Sequence, residues 1–188
     1  KHLHFDHQSA IIVMEDLRDH VLLRDELILG HVSASDGAAL GAFMGLTHAA
    51  TWRGGGVLSD TVADSYAQAF ANDLLCGITS QYVFLKPYDP AESSNRSSEG
   101  LADVVAALRA EGSPTAAAAA DLNFKFLNTK QCLIHGDLHA GSVMVKGRIL
   151  PPDGVAAAAA YEAGRLRCFD PEFACYGPAG FDLGLVLA

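Results

Sequence analysis

The sequence predicts an α+β fold in which a mostly helical region is followed by a small β element. Half of the 188 residues are apolar, which is enough to bury a sizeable core. Apolar residues recur at helical spacing between residues 36 and 130. Three short β-type runs then follow, separated by turns rich in Gly or Pro: Cys132–Ile134, Ser142–Val145 and Leu166–Phe169.

The first part of the chain carries one strand signal and two helix signals. The run from Ile11 to Met14 is apolar and rich in β-branched residues, which predicts a buried strand. A helix follows from Asp36, which is placed to cap its first turn. A second helix is predicted from about Asp60 to Leu75, with Gly77 as its stop signal.

Two further helices complete the helical region. Ser98 is placed to cap a segment in which four aliphatic residues between 101 and 108 share one face. The stretch from Ala116 to Lys130 has high helix propensity, and Leu122 and Phe126 lie four residues apart on one side of it.

The stretch at 146–164 separates two of the predicted strands. It contains Pro151, Pro152 and an alanine run, and it offers no nucleophile, ligand cluster or phosphate loop. We therefore expect a surface insertion in a hairpin and assign it no function.

Charge and cysteine usage limit the classes of partner. Lys and Arg total 13 against 22 Asp and Glu, a formal charge of −9, which argues against binding to nucleic acid or to a membrane surface. The four cysteines show no paired short spacing, and no secretory leader or membrane-spanning run is recognisable. We expect a cytoplasmic protein with free thiols. We also expect a piece of a longer protein, because a strand signal near the start and an uncapped helical pattern at 181–188 are typical of mid-domain sequence.

The most informative stretch is LIHGDLHAGSVMV, residues 133–145. It places Asp137 where an apolar strand gives way to a Gly-containing turn, so the carboxylate can be held at a fixed place on the surface of the core. Asp137 is therefore a candidate base or hydroxyl anchor. Taken singly, an Asp in a turn is more often a structural cap.

A second acidic cluster follows the last predicted strand. In CFDPEF, residues 168–173, Asp170 and Glu172 are spaced so that both could face one hard cation. Magnesium prefers a few carboxylate oxygens together with water and substrate phosphate. Phosphoryl transfer requires one base and one metal site. The two clusters together therefore favour a catalytic role for Asp137.

The two histidines beside Asp137 allow another interpretation. His135 and His139 form a His-x-Asp-x-His pattern that could indicate a zinc hydrolase. A catalytic zinc site needs three good ligands, and neither a helical His-Glu-x-x-His nor clustered cysteines occur. We expect His135 to brace the turn instead. We expect Asp182 either to cap the helix that follows or to accept backbone N–H bonds from the Asp137 turn, and favour a supporting role.

These motifs resemble a known family. HGDLH, residues 135–139, followed by DPE, residues 170–172, is similar to the catalytic and metal loops of the aminoglycoside phosphotransferase and choline kinase superfamily, which has a protein-kinase-like fold. A narrower resemblance is to the S-methyl-5-thioribose kinase family. That family's pattern has serine at the position of Ser142 and a Tyr-Gly-Pro-x-Gly-Phe-Asp run like the one at 176–182.

The resemblance implies a reaction and its residues. ATP would donate its γ-phosphate to the 1-hydroxyl of S-methyl-5-thioribose, in methionine salvage. Asp137 would engage the sugar hydroxyl and act as base. Asp170 and Glu172 would bind Mg²⁺ and, with Pro171, the nucleotide phosphates. His135, His139, Ser142 and Asp182 would support these loops.

The resemblance also implies a domain organisation. Residues 1–17 would be the last strand of an N-terminal lobe and the hinge, where backbone groups at Glu15, Asp16 and Leu17 meet the adenine. Residues 18–188 would be an incomplete helical C-terminal lobe with the insertion at 146–164. Because the nucleotide-covering loop and the phosphate-binding lysine of the family are missing, we expect this stretch alone to be inactive. The family also suggests a homodimer.

Two alternatives stay open. Another kinase of the superfamily could act on an amine or amino sugar, which the charge of −9 permits; Ser142, in place of the asparagine common in the superfamily, argues against this. The chain could also be a non-catalytic product, either truncated or binding nucleotide without phosphate transfer.

Overall fold

The structure is a computed structural model that describes residues 2–31, 33–146 and 165–188. Its mixture of helices and antiparallel strand pairs confirms the α+β class. The strands are β1 (His2–Asp6), β2 (Ile11–Met14), β3 (His20–Leu22), β4 (Cys132–Ile134), β5 (Val143–Lys146), β6 (Leu166–Cys168) and β7 (Cys175–Gly177). The α-helices are α1 (Leu23–Ile28), α2 (Ala34–Ala50), α3 (Asp60–Ala69), α4 (Asp73–Thr79), α5 (Ala102–Arg109), α6 (Pro114–Asn128) and α7 (Ala179–Leu187).

The chain forms two compact units. One comprises Lys1–Leu40 and Ala140–Phe169, and the other comprises Gly41–His139 and Asp170–Ala188. The predicted boundary after residue 17 and the lobe assignment stay predictions.

The first unit contains two small antiparallel sheets. β1 pairs with β2, and β5 lies between β3 and β6. The predicted β2 strand exists, but its prediction as a buried strand is wrong, since Ile12 is 58% exposed and its three neighbours in β2 are exposed as well. The reason is that β2 pairs only with β1 within the described residues, and a two-stranded ribbon supplies no second layer.

The first turn of α2 differs from its prediction in one detail. Ser33, not Asp36, precedes the helix, and Asp36 is its third residue. The Ser33 N–H donates to Asp36 Oδ2 over 3.1 Å, and the Asp36 N–H donates to Ser33 Oγ over 3.4 Å, a capping-box exchange. Asp36 Oδ1 also accepts a 2.9 Å bond from Arg165 Nε. Residues 147–164, which form most of the predicted insertion, lie outside the described residues; β5 and β6 on either side of them pair antiparallel.

The second helix predicted from the sequence is two helices in the structure. α3 ends at Ala69, and α4 begins at Asp73 and passes through Gly77, so the predicted stop at Gly77 is wrong. One glycine costs a helix only about 1 kcal/mol. Packing offsets that cost here, since the chain continues directly into a π-helical segment, Ser80–Leu85, that lies against α6.

α5 and α6 confirm two predicted helices. α5 has no side-chain cap, so Ser98 does not cap it. Its leucine at 108 and valine at 104 are exposed. In α6, Phe126 is buried whereas Leu122 is 53% exposed.

The core of the second unit surrounds the β4–β7 pair. Phe126, Cys132, Ile134 and Cys175 are buried together. The ring of Phe181 packs 4.6 Å from that of Phe126, between ring centroids. This core fixes the β4–β7 pair, whose end carries the acidic residues. No helix within the described residues has both the length and the apolar character needed to span a membrane.

Candidate functional site

Two acidic turns leave the β4–β7 pair at the same end. The strands are antiparallel, with Ile134 opposite Cys175. The chain after Ile134 and the chain before Cys175 therefore start from neighbouring positions. We call these segments the 135–139 turn, which carries Asp137, and the 170–174 turn, which carries Asp170 and Glu172.

Gly136 brings the two turns into direct contact. Its φ angle is +80°, a conformation that glycine adopts without steric cost. A Cβ atom at this position would lie 2.8 Å from the carbonyl carbon of Phe173 and would collide with its oxygen. Only glycine lets the backbones of the two turns approach this closely.

Asp182 holds the 135–139 turn from inside the core. Its side chain is 1% exposed. Oδ2 accepts the N–H of His135 over 2.8 Å, and Oδ1 accepts the N–H of Gly136 over 2.9 Å. Asp182 is the fourth residue of α7, and the position before that helix is Pro178. Its carboxylate therefore serves the 135–139 turn and does not cap its own helix.

His48 in turn contacts Asp182, and this contact was not predicted from the sequence. It lies near the end of α2, and its Nε2 hydrogen-bonds Asp182 Oδ2 over 3.1 Å. The two residues are 134 positions apart, so no local pattern marks their contact. A buried carboxylate needs such partners, because an unpaired buried charge is strongly destabilising.

Asp137 combines a fixed backbone with an accessible side chain. Its N–H donates to His135 Nδ1 over 3.4 Å. Its side chain is 42% exposed, and Oδ2 lies 3.5 Å from His139 Nε2. A reacting group could therefore approach this carboxylate from solvent.

The 170–174 turn begins at a residue with a strained backbone conformation, and its carboxylates are exposed. Asp170 has φ 60° and ψ 54°, a left-handed conformation that Asp tolerates better than most residues. Pro171 to Phe173 form one 3₁₀ turn, and Asp170, Pro171 and Glu172 are exposed. Strained residues of this kind tend to cluster at functional sites.

Asn72 holds the 170–174 turn and was also missed from the sequence. Its Nδ2 donates to the carbonyl oxygen of Glu172 over 2.7 Å and to that of Ala174 over 3.1 Å. Asn72 immediately precedes α4. This amide fixes the turn that carries the predicted metal ligands.

The carboxylates of the 170–174 turn are of the ligand type that magnesium prefers. Asp170 and Glu172 offer hard carboxylate oxygens from one exposed turn. Within the described residues, no three or more His, Cys, Asp or Glu side chains gather closely enough to hold a metal ion. A cation here would need further oxygens from phosphate and water, which is how magnesium is usually bound with nucleotides.

The remaining predicted site residues belong to the first unit. Ser142 is buried in a 3₁₀ turn, and its carbonyl accepts the N–H of Phe169 over 3.1 Å. Glu15, Asp16 and Leu17 lie between β2 and β3 without regular structure. Asp16 pairs with the guanidinium of Arg18 over 2.6 Å. The roles of these residues toward a nucleotide stay predictions.

Comparison with known proteins gives concordant matches. The model of the phosphotransferase enzyme family (APH) matches residues 6–188. Methylthioribose kinase from Citrobacter koseri is 33% identical over 186 residues, which are 98% of this chain and 41% of that protein. The protein of the same name from Yersinia pestis strain Pestoides F is 33% identical over 189 residues, covering 100% of this chain and 41% of that protein. The chain thus spans about two fifths of the length of these relatives.

Proposed function

This chain belongs to the phosphotransferase enzyme family, and we propose that it is part of a kinase that transfers the γ-phosphate of ATP to the 1-hydroxyl of S-methyl-5-thioribose in methionine salvage. One observation carries the proposal: two acidic turns meet at one end of the β4–β7 pair, through Gly136 and Phe173. The names of the relatives, both methylthioribose kinases, support the substrate.

Asp137 is the proposed base and substrate anchor. Its carboxylate is accessible, and the 135–139 turn that carries it is fixed by the two bonds that Asp182 accepts from the N–H groups of His135 and Gly136. Phosphoryl transfer depends mainly on positioning and on charge neutralisation. An aspartate held this way can orient the sugar hydroxyl toward the phosphate and accept its proton. His139, beside it, would support its orientation.

Asp170 and Glu172 are the proposed magnesium ligands. Magnesium, when bound, would neutralise charge on the nucleotide phosphates. The chain's own contribution is to present both carboxylates from one turn, whose backbone Asn72 anchors. Pro171 stiffens the connection between them, because its ring fixes φ.

The remaining roles follow from the family resemblance. We propose that backbone groups at Glu15 to Leu17 bind the adenine and that Ser142 supports the catalytic loop. We propose a cytoplasmic location, where ATP is available, and a homodimer, which light scattering on the purified complete protein would test. The 188-residue chain alone is proposed to lack turnover.

The experiment is an assay of the complete protein with ATP, magnesium and S-methyl-5-thioribose. Turnover is expected, and Asp137→Asn should lower kcat by about 10²–10⁴-fold. Asp121→Asn is the matched control, since Asp121 is an exposed residue of α6 paired with Lys125, and it should retain full activity. Absence of turnover with this sugar would refute the substrate assignment.

A second candidate is a kinase of the same family that acts on an amino-containing substrate. The formal charge of −9 permits it, because acidic proteins attract cationic ligands. The same assay with an aminoglycoside and with choline separates the two candidates. Turnover of either compound, without turnover of methylthioribose, would replace the first proposal. Absence of turnover with all three would favour a non-catalytic product.

A further inference from the structure

Two thiols lie together behind the 170–174 turn. Cys175 opens β7, directly after that turn, and is 3% exposed. Cys76 lies in α4, is partly buried and packs against the core cluster that contains Cys175. The two thiols are close enough to interact, and their interaction lowers the pKa of Cys76 and raises that of Cys175. The contact brings together two of the four free cysteines of the chain.

A cavity leads to one thiol of the pair. It has a volume of about 250 Å³ and is lined by Cys76, Ser80, Gln81 and Lys130, among others. Cys175 is buried and is not among the residues that line this cavity. A small solute can therefore reach Cys76 first, near the positive charge of Lys130.

The surroundings of Cys76 favour its thiolate. The interaction with the Cys175 thiol lowers the pKa of Cys76 to about 7, and Lys130 acts in the same direction, whereas burial and Asp73 oppose the shift. The same interaction, together with burial, raises the pKa of Cys175. Burial raises the pKa of Cys132 to about 12. Because the thiolate is the reactive form, Cys76 should be far more reactive than Cys132 at neutral pH.

We propose that Cys76 and Cys175 form a peroxide-sensitive thiol pair, in which Cys76 reacts with a hydroperoxide and Cys175 closes an intramolecular disulfide. With hydrogen peroxide, the Cys76 thiolate attacks one oxygen, the O–O bond breaks, and hydroxide leaves and is protonated to water. The sulfur of Cys175 then attacks the resulting sulfenic acid, and the S–OH bond breaks. Two thiols and one peroxide become one disulfide and two water molecules.

The position of the pair gives the disulfide a structural consequence. It would join α4 to the first residue of β7. Asn72, immediately before α4, already holds the Glu172 and Ala174 carbonyls. Oxidation would therefore link covalently the two elements that define the 170–174 turn. The thiol chemistry itself does not depend on the proposed kinase function.

Peptide mapping tests the proposal on the unsubstituted chain. The 188-residue chain is treated with one equivalent of hydrogen peroxide, its remaining thiols are alkylated, and its peptides are analysed by mass spectrometry. A peptide joining Cys76 to Cys175, lighter by two hydrogen atoms, is expected, with Cys132 and Cys168 alkylated. Oxidation of Cys168 at least as fast as that of Cys76, or a disulfide between other cysteines, would overturn the proposal.

Substitutions separate the two steps. Cys175→Ser should prevent the disulfide and leave a sulfenic acid on Cys76 that dimedone traps, whereas Cys168→Ser should form the disulfide at the unsubstituted rate. Alkylation of native Cys76 by iodoacetamide should reach half its maximal rate near pH 7, and Cys175→Ala should move that midpoint upward. An unchanged midpoint in a folded Cys175→Ala chain would contradict the thiol contact.

Discussion

The two acidic turns are neighbours, yet one is held through its backbone N–H groups and the other through its backbone carbonyl groups. In the 135–139 turn, backbone N–H groups donate to the buried carboxylate of Asp182. In the 170–174 turn, backbone carbonyls accept from the partly exposed amide of Asn72. The first turn is held by a charge inside the core, and the second is held by a neutral group near solvent.

This difference predicts unequal sensitivity. If the buried carboxylate is lost, two buried N–H groups have no water to replace it, and each such group costs about 1–3 kcal/mol. Water can replace the amide of Asn72, because that side chain is only partly buried. The turn that carries Asp137 should therefore depend more strongly on its support than the turn that carries Asp170 and Glu172.

The largest expected effect is that of Asp182→Ala. It removes the acceptor of the His135 and Gly136 N–H groups and the partner of His48, so the free energy of unfolding should fall by about 3 kcal/mol or more. Urea denaturation measures this change. The control Asp121→Ala should change the unfolding free energy by less than about 0.5 kcal/mol. Equal losses for the two variants would mean that Asp182 does not hold the turn.

Gly136→Ala tests the contact between the turns. The new Cβ would collide with the Phe173 carbonyl oxygen at a backbone conformation unfavourable for alanine, so we expect a loss of about 2–3 kcal/mol. Gly45→Ala is the matched control. Gly45 lies inside α2 with open space where its Cβ would be, and alanine there should stabilise the chain by about 0.5–1 kcal/mol. Thermal unfolding that shifts in the same direction for both variants would argue against close approach of the turns.

Asn72→Ala should have a smaller and more local effect. Two hydrogen bonds of 2.7 and 3.1 Å are lost, but water can reach the freed carbonyls, so about 1–2 kcal/mol is expected. Amide hydrogen exchange gives the sharper readout. Exchange should accelerate around residues 172–174 and stay unchanged at His135 and Gly136. Acceleration at both turns would show that they are not held independently.

The smallest effect is expected from Tyr176→Phe. The Tyr176 hydroxyl donates to the carbonyl oxygen of Thr51 over 2.7 Å, which ties β7 to the residue after α2. Loss of this single bond should cost about 1 kcal/mol and should affect both turns equally, because Tyr176 lies in the ladder behind them. Urea denaturation combined with hydrogen exchange would check both statements. Faster amide exchange in only one of the two turns would contradict the expectation that Tyr176 supports both.

Short segments with strong local signals were predictable from the sequence. β4 has the bounds that were predicted, since its apolar run is followed directly by a Gly-containing turn. β7 was missed, because it has only three residues, one of them glycine, which is depleted in strands. Its strand character comes from pairing with β4. The break between α3 and α4 was missed because Phe70, Ala71 and Asn72 include neither Gly nor Pro.

The acidic residues of the site were visible in the sequence, but their supports were not. Asp137, Asp170 and Glu172 follow strand signals, so local pattern reasoning finds them. His48 and Asn72 reach their partners across 134 and 100 residues. Such contacts are produced by tertiary packing. The exposure of β2 was also unpredictable, since burial depends on neighbours that a local apolar run does not specify.

The central proposal is that Asp170 and Glu172 hold one divalent ion with the nucleotide while Asp137 acts on the substrate. The most direct measurement is electron paramagnetic resonance of Mn²⁺ bound to the complete protein with a non-hydrolysable ATP analogue. One bound ion is expected, with affinity at least about 10-fold weaker in Asp170→Asn and Glu172→Gln and unchanged in Asp137→Asn, although that variant loses turnover. Equal Mn²⁺ affinity in the unsubstituted protein, Asp170→Asn and Glu172→Gln would contradict the proposal.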